Sequence, residues 1–218
     1  MRKLLIGLIV IVVLLILIKK KNMTWRESIL KAVYPVIMLP GKLFGGSQKG
    51  SLNQAHKTAP MNFYQLTVTL NNGQTISMEQ FKGKQLLLVN TASACGYTGQ
   101  YAELEELYKK YKDQLVIIGF PANDFKQQEQ KNDDEIAEFC KVNYGVTFLL
   151  AKKSSVVKGA EQNPVFDWLS DAGKNGWNDQ QPTWNFCKYL VNKEGILEAF
   201  FPQTVSPLDK SVIQLLVK

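Results

Sequence analysis

Cys95, Cys140 and Cys187 are the strongest potential nucleophiles in the 218-residue chain, and their surroundings separate what each can do. Cys95 stands five residues after the apolar run Gln85–Asn90 and just before a helix expected to begin near Thr98. Unpaired backbone N–H groups and the positive end of a helix dipole at such a place lower a thiol's pKa and favour thiolate, the reactive form. The other reading of the position is a buried structural cysteine. Cys140 falls on a helix expected to open at Asn132, on one face with Ile136. Cys187 begins an apolar strand and is read as structural. Three separated cysteines without a Cys-x-x-Cys give neither a metal knuckle nor a disulfide scaffold. The single histidine, His56, lies in the polar stretch Gln54–Thr58, so a histidine-dependent catalytic centre would rest on that one residue, and a site of several imidazoles is impossible. No metal and no cofactor are expected.

The elements that must position these thiols follow from periodicity. Phe63–Leu70, the turn Asn71-Asn72-Gly73 and Gln74–Ser77 read as a β-hairpin. Gln85–Asn90 and Leu115–Phe120 are continuous apolar runs of the kind buried on both faces of a sheet. Between them Tyr101, Leu104, Leu107, Tyr108 and Tyr111 keep helical spacing, which makes 85–120 a β-α-β unit. Asn132 with Glu135 predicts a capping box and a helix to about Asn143. A strand near Phe148, a short helix at Pro164–Asp171, a second hairpin over Cys187–Asn192 and Ile196–Phe201, and a last helix capped by Ser206 with Pro207 at its first position complete the pattern. This alternation describes an α/β fold with a central mixed sheet flanked by helices.

Charge divides the chain. The formal +7 resolves into +9 on residues 1–60, from ten basic side chains and Glu27, and −2 on residues 61–218, from 16 lysines and 18 acids. The larger part is near neutral, so nucleic-acid binding is not expected. Leu4–Ile18 is wholly apolar apart from Gly7, between Arg2-Lys3 and Lys19-Lys20-Lys21. It reads as a marginal membrane span, with a cleaved signal peptide and an artefactual start as the alternatives. The flanking charge places the body in the cytoplasm, with a periplasmic or exported location as the other reading. Ile29–Phe44, interrupted by Lys31, Pro35 and Pro40, reads as an interfacial segment or a plain linker, and 45–60 as a flexible connector. The expected organisation is a transmembrane anchor at 1–22, a membrane-proximal basic linker at 23–60 and one catalytic domain at 61–218.

Three blocks, 90–101 (NTASACGYTGQY), 119–129 (GFPANDFKQQE) and 184–186 (WNF), resemble in order the signature blocks of the glutathione peroxidase family. The likeness runs from about Phe63 to the C-terminus and includes 139–148 and Asn163-Pro164. It implies a thioredoxin-like fold and two-electron reduction of hydroperoxides. It places the family's peroxidatic cysteine at Cys95 and its glutamine, tryptophan and asparagine at Gln128, Trp184 and Asn185. Neutral donors of these types stabilise charge developing on sulfur and oxygen without adding a competing nucleophile, and no histidine is required. The loop departs from the family pattern at Asp124, Lys126 and Gln130, where the family has Gln, Gly and Pro.

The same likeness puts Cys140 where thioredoxin-dependent members carry the resolving cysteine that condenses with a sulfenic Cys95; helix packing is its other reading. Both arginines, Arg2 and Arg26, precede the domain, whereas glutathione offers two carboxylates that favour arginine. Thioredoxin, or a similar dithiol protein, is therefore expected as reductant ahead of glutathione. The short region before Trp184 resembles that of monomeric members. The activity expected is a thiol peroxidase acting on hydrogen peroxide and organic or lipid hydroperoxides. The alternatives are a non-turnover redox sensor or relay built on Cys95 and Cys140, and a lapsed scaffold.

Overall fold

The computed structural model describes residues 22–44 and 50–217. Its centre is a six-stranded sheet. The apolar runs become β4 (Gln85–Thr91) and β5 (Leu115–Pro121), buried along their whole length and parallel, with Gln85 opposite Leu115 and Thr91 opposite Pro121. β6 (Leu149–Leu150) adds in parallel to β5, while β7 (Lys188–Val191) runs antiparallel on the other side of β4. β8 (Leu197–Phe201) and β1 (Ser51–Leu52) extend that side antiparallel, giving the order β1-β8-β7-β4-β5-β6. β2 (Thr67–Thr69) and β3 (Thr75–Ser77) form the separate hairpin, with a 3-10 turn, Phe63–Gln65, where the strand was expected to begin.

Because strand side chains alternate, the sheet divides two apolar layers. Leu87, Val89, Ile117, Leu190 and Phe201 face one layer, beneath α2 (Gln100–Tyr111), α3 (Asp133–Tyr144) and α6 (Lys210–Leu216). Leu86, Leu88, Ile118, Tyr189 and Phe200 face the other, with the hairpin and α4 (Pro164–Leu169), which the short α5 (Ala172–Asn175) follows. α3 starts at the expected capping box, Asn132 with Glu135, and stops at Gly145, whose φ of 66° is the left-handed conformation glycine adopts without strain. The final helix begins later than expected. Ser206 and Pro207 belong to a preceding turn, and Asp209 caps the helix through Ser211 N.

The N-terminal side differs most from expectation. The membrane span expected at Leu4–Ile18 lies outside the described residues. Among the described residues no helix is long and apolar enough to cross a membrane. The placement of the chain on a membrane by a single N-terminal helix, with a cytoplasmic or exported body, is therefore corrected: it has no support. Where a linker was expected, Trp25–Phe44 forms one helix, α1, in spite of Pro35 and Pro40. Thr24 and Glu27 form its N-terminal box: Glu27 Oε2 accepts from Thr24 N at 2.7 Å, and Glu27 N donates to the Thr24 hydroxyl at 3.2 Å. Met23, Glu27, Ser28, Tyr34 and Met38 are buried against the domain. Burying Met23, Tyr34 and Met38 stabilises that placement by roughly 1.5–3 kcal/mol each. The expected connector is also partly ordered, since Ser51 and Leu52 pair with Phe200 and Ala199.

Candidate functional site

The Cys95 turn leaves the end of β4 and is fixed before α2 begins. Thr98 ties it internally: its hydroxyl accepts from Cys95 N at 3.0 Å and has the Ala92 and Cys95 carbonyls at 2.9 and 2.8 Å to donate to. The turn is also held to the second signature block. Ala94 N donates to the Gln128 carbonyl at 3.0 Å, and Ser93 donates to Glu129 Oε2 from its backbone N at 2.8 Å and its hydroxyl at 2.9 Å. Tyr97 N–H points at Cys95 Sγ, 3.4 Å away.

The Trp184-Asn185 block is brought to the same place by Asn90, a wholly buried amide at the end of β4. Asn90 Nδ2 donates to the Trp184 carbonyl at 2.9 Å, Asn90 Oδ1 accepts from Cys187 N at 3.0 Å, and the Asn90 carbonyl accepts from Phe186 N. Phe186 itself takes a φ of 70°, the bend that turns the block toward sulfur. As a result the Trp184 and Asn185 side chains are placed beside the Cys95 thiol, where as donors they oppose the rise in its pKa. Gln128 meets the group through Asn185, whose Nδ2 donates to Gln128 Oε1 at 3.0 Å. All four expected residues thus converge, three of them on sulfur or beside it and Gln128 one hydrogen bond further out.

Electrostatics correct one expectation. Cys95 is fully buried, and desolvation raises its pKa above the ordinary thiol value despite opposing hydrogen bonds from Tyr97 N–H, Trp184 and Asn185 and the more distant charge of Arg26. Its position before a helix does not lower the pKa, because thiolate loses more hydration than the donors return. Glu129 is likewise pushed up by burial, to about 7, against the Ser93 bonds and the charges of Lys131 and Lys153.

The altered loop leaves the site intact. Asp124 points both carboxylate oxygens at the 155–156 segment, to the Ser155 hydroxyl at 2.8 Å and Val156 N at 2.9 Å. Lys126 has a φ of 53°, which accounts for glycine at that place in the family pattern. Its ammonium lies 5.5 Å from the centre of the Trp184 ring, and the Phe125 ring is 5.9 Å from it. His56 lines a cavity of about 340 Å³ with Leu52, Asn53, Asn192 and Leu215, to which Cys95, Gln128, Trp184 and Asn185 do not contribute.

All three cysteines are free and buried. Cys140 shares the apolar layer of Cys95, whereas Cys187 lies in the layer across the sheet. Burial raises the Cys140 thiol to about 12, with the nearby Tyr101 hydroxyl opposing and the Glu129 charge adding to the rise. Among the described residues no group of three or more His, Cys, Asp or Glu side chains could hold a metal ion.

A family model described as glutathione peroxidase matches residues 63–170. A glutathione peroxidase homolog of Staphylococcus epidermidis is 43% identical over 158 residues, covering 72% of this chain and 99% of that protein. The chain belongs to the glutathione peroxidase family. As a glutathione peroxidase-family enzyme it is a thiol-dependent peroxidase. Further relatives include a glutathione peroxidase-like peroxiredoxin of Saccharomyces cerevisiae, 43% identical over 157 residues and covering 71% of this chain and 96% of that one. The crystal structure of Trgpx in apo form superposes with a TM-score of 0.56 at 28% identity, over 73% of this chain and 98% of that chain. The family's fold is thioredoxin-like, as expected.

Sequence reasoning missed the residues that assemble the site. Asn90 was visible as an amide closing an apolar strand, and Glu129 as an acid inside a signature block. Nothing in the spacing indicated that α1 would carry Arg26 and Tyr34 toward Cys95.

Proposed function

We propose that residues 61–218 form the peroxidase domain, that Cys95 is its peroxidatic nucleophile, and that Trp184 and Asn185 stabilise the sulfur while Gln128 orients Asn185. The observation that carries this reading is that the Tyr97 N–H points at one buried thiol while the Asn90 and Gln128 hydrogen bonds hold the Trp184-Asn185 block beside it. Cys95 sulfur attacks the distal oxygen of the hydroperoxide, the O–O bond breaks, and the thiol proton leaves with the departing oxygen as water or alcohol. Cys95 becomes a sulfenic acid. The neutral donors stabilise negative charge on sulfur as that proton departs, which suits a thiol that rests protonated.

Cys140 then resolves the sulfenate: its sulfur bonds to Cys95, the hydroxyl leaves, and with the Cys140 proton it forms water. A dithiol protein of the thioredoxin kind restores both thiols by disulfide exchange. Glutathione is less suited, since the domain has no arginine and Arg26 is one guanidinium for two carboxylates. Hydrogen peroxide and organic hydroperoxides, lipid hydroperoxides among them, are the substrate class, and the working unit is a monomer.

Peroxide consumption by Cys95→Ser should fall to the uncatalysed rate; consumption equal to the parent's removes Cys95 from the mechanism. Mass mapping after one equivalent of peroxide should find a Cys95–Cys140 disulfide that thioredoxin reduces and glutathione does not. A glutathione adduct or persistent sulfenate on Cys95 would reverse the choice of reductant.

A further inference from the structure

Helix α1 precedes the family match, which begins at residue 63, so its contacts with the domain belong to this chain and not to the shared pattern. Those contacts follow α3 along its length. The Glu27 carboxylate pairs with Lys131, one residue before the α3 N-cap. Asn22 Nδ2 donates to Glu138 Oε1 at 2.6 Å in the middle of the helix. Lys31 donates to the Asn143 carbonyl in its last turn and sits 4.2 Å from the centre of the Tyr144 ring. Met23 enters the same apolar cluster as Cys95, Phe139 and Cys140.

Farther along α1 the contacts change to the other thiol. A Cβ on Gly99 would lie 2.3 Å from the Tyr34 ring, and one on Gly96 would lie 3.3 Å from Ile37 Cδ1, so α1 is seated directly on the turn that carries Cys95. One helix therefore braces both partners of the resolving reaction. Cys140 is buried inside α3, and its carbonyl accepts from Gly145 N and Val146 N at the helix end. A disulfide needs Cα atoms within about 7 Å and suitably directed Cβ vectors, which a thiol locked in a helix reaches only when that helix opens.

We infer that α1, with the residues from Asn22 that lead into it, is a latch: by clamping α3 at Lys131, Glu138 and Asn143 it holds Cys140 away from oxidised Cys95, lengthens the life of the sulfenate, and is released when the disulfide closes. This rests on the assignment of Cys140 as the resolving cysteine. Glu27 is the positioning residue of the latch. Its carboxylate is almost wholly buried, so loss of either partner leaves an uncompensated charge at the α1–α3 seam. The resolving step itself is unchanged in its chemistry: the sulfur–oxygen bond of sulfenic Cys95 breaks, the S–S bond forms, and water leaves. Peroxide supplies the oxidising equivalents.

The test compares the full chain with Glu27→Gln and Lys131→Met, neither of which alters a group that touches Cys95. After one equivalent of hydrogen peroxide, acid quenching and mass analysis give the rate at which the Cys95–Cys140 disulfide appears. Both variants should form it about fivefold faster or more, corresponding to about 1 kcal/mol less resistance to opening. Sulfenate formation, read by dimedone capture in a Cys140→Ser background, should keep the parent rate. The swapped pair Glu27→Lys with Lys131→Glu should restore slow closure, a rescue that general destabilisation would not give. Amide hydrogen exchange in the reduced state should quicken across α3 in both single variants, which also shows that they remain folded. Unchanged disulfide rates and unchanged α3 exchange overturn the latch while leaving the role of Cys140 standing. Failure of the parent to form any Cys95–Cys140 disulfide overturns both.

Discussion

The Asn185 amide donates to Gln128 Oε1 at 3.0 Å across 57 residues of sequence, so one hydrogen of Asn185 Nδ2 is committed to Gln128 while the amide faces Cys95. In the proposed mechanism Gln128 acts on the sulfur by fixing how Asn185 is turned. Asn185→Ala should lower the rate of peroxide reduction about 100-fold, in the range lost with a single stabilising donor, and Gln128→Ala about tenfold. The pair should not be additive: Gln128→Ala placed in the Asn185→Ala background should cost less than twofold. Stopped-flow peroxide kinetics on the four proteins decide this, and full additivity would mean that Gln128 reaches the substrate independently.

Burial raises the pKa of Cys95 above the ordinary thiol value near 9, so the protonated form dominates at neutral pH. The second-order rate with hydrogen peroxide should therefore climb by about tenfold from pH 7 to 8 and keep rising beyond it, in proportion to the thiolate fraction. A plateau beginning below pH 7 would show instead that the donors outweigh desolvation.

Glu129 affects stability in the opposite direction from an ion-paired acid. Its folded pKa of about 7 exceeds the ordinary value of 4.5, so the folded state holds the proton more tightly than the unfolded state. The contribution to stability is complete below pH 4.5 and is lost as pH rises to about 7, amounting to about 3 kcal/mol at most. Glu129→Gln removes a titrating group while keeping an oxygen for Ser93. Urea midpoints measured from pH 4.5 to 7.5 should decline more steeply in the parent than in the variant; parallel curves would place the carboxyl pKa near its ordinary value.

Gly99 has no room for a side chain because the Tyr34 ring occupies it. Gly99→Ala should force α1 off the domain, and trypsin should then cut at Arg26 and Lys31 at least tenfold faster than in the parent, in keeping with a local opening free energy lowered by more than 1.4 kcal/mol. Cleavage at the parent rate would mean that Tyr34 swings aside while the helix stays seated.

What could be read in the sequence was whatever local pattern encodes. The continuous apolar runs became β4 and β5, the Asn132–Glu135 pair capped α3, and the residues of the three signature blocks came together at Cys95. What could not be read depends on tertiary contacts. Lys31 and the prolines at 35 and 40 interrupt the segment as a membrane span and no local pattern marks it as a docked helix, whereas burial of Met23, Tyr34 and Met38 holds α1 on the domain. Similarly, the dipole argument lowers the pKa of Cys95 only if the thiol stays hydrated, and full burial cancels it. Ser206 and Pro207 supply a good helix start, but Asp209 lies nearer the first residue that packs on the sheet and takes the cap.

The central sheet separates Cys187 from Cys95 and Cys140. Of the pairings open to three thiols, two would have to pass through a continuous layer of hydrogen-bonded strands, so in the folded protein they are topologically barred. The sheet works as a septum in an electrical sense. In the proposed mechanism it leaves a single circuit between Cys95 and Cys140, so that repeated oxidation and reduction would proceed beside a spare cysteine without miswiring.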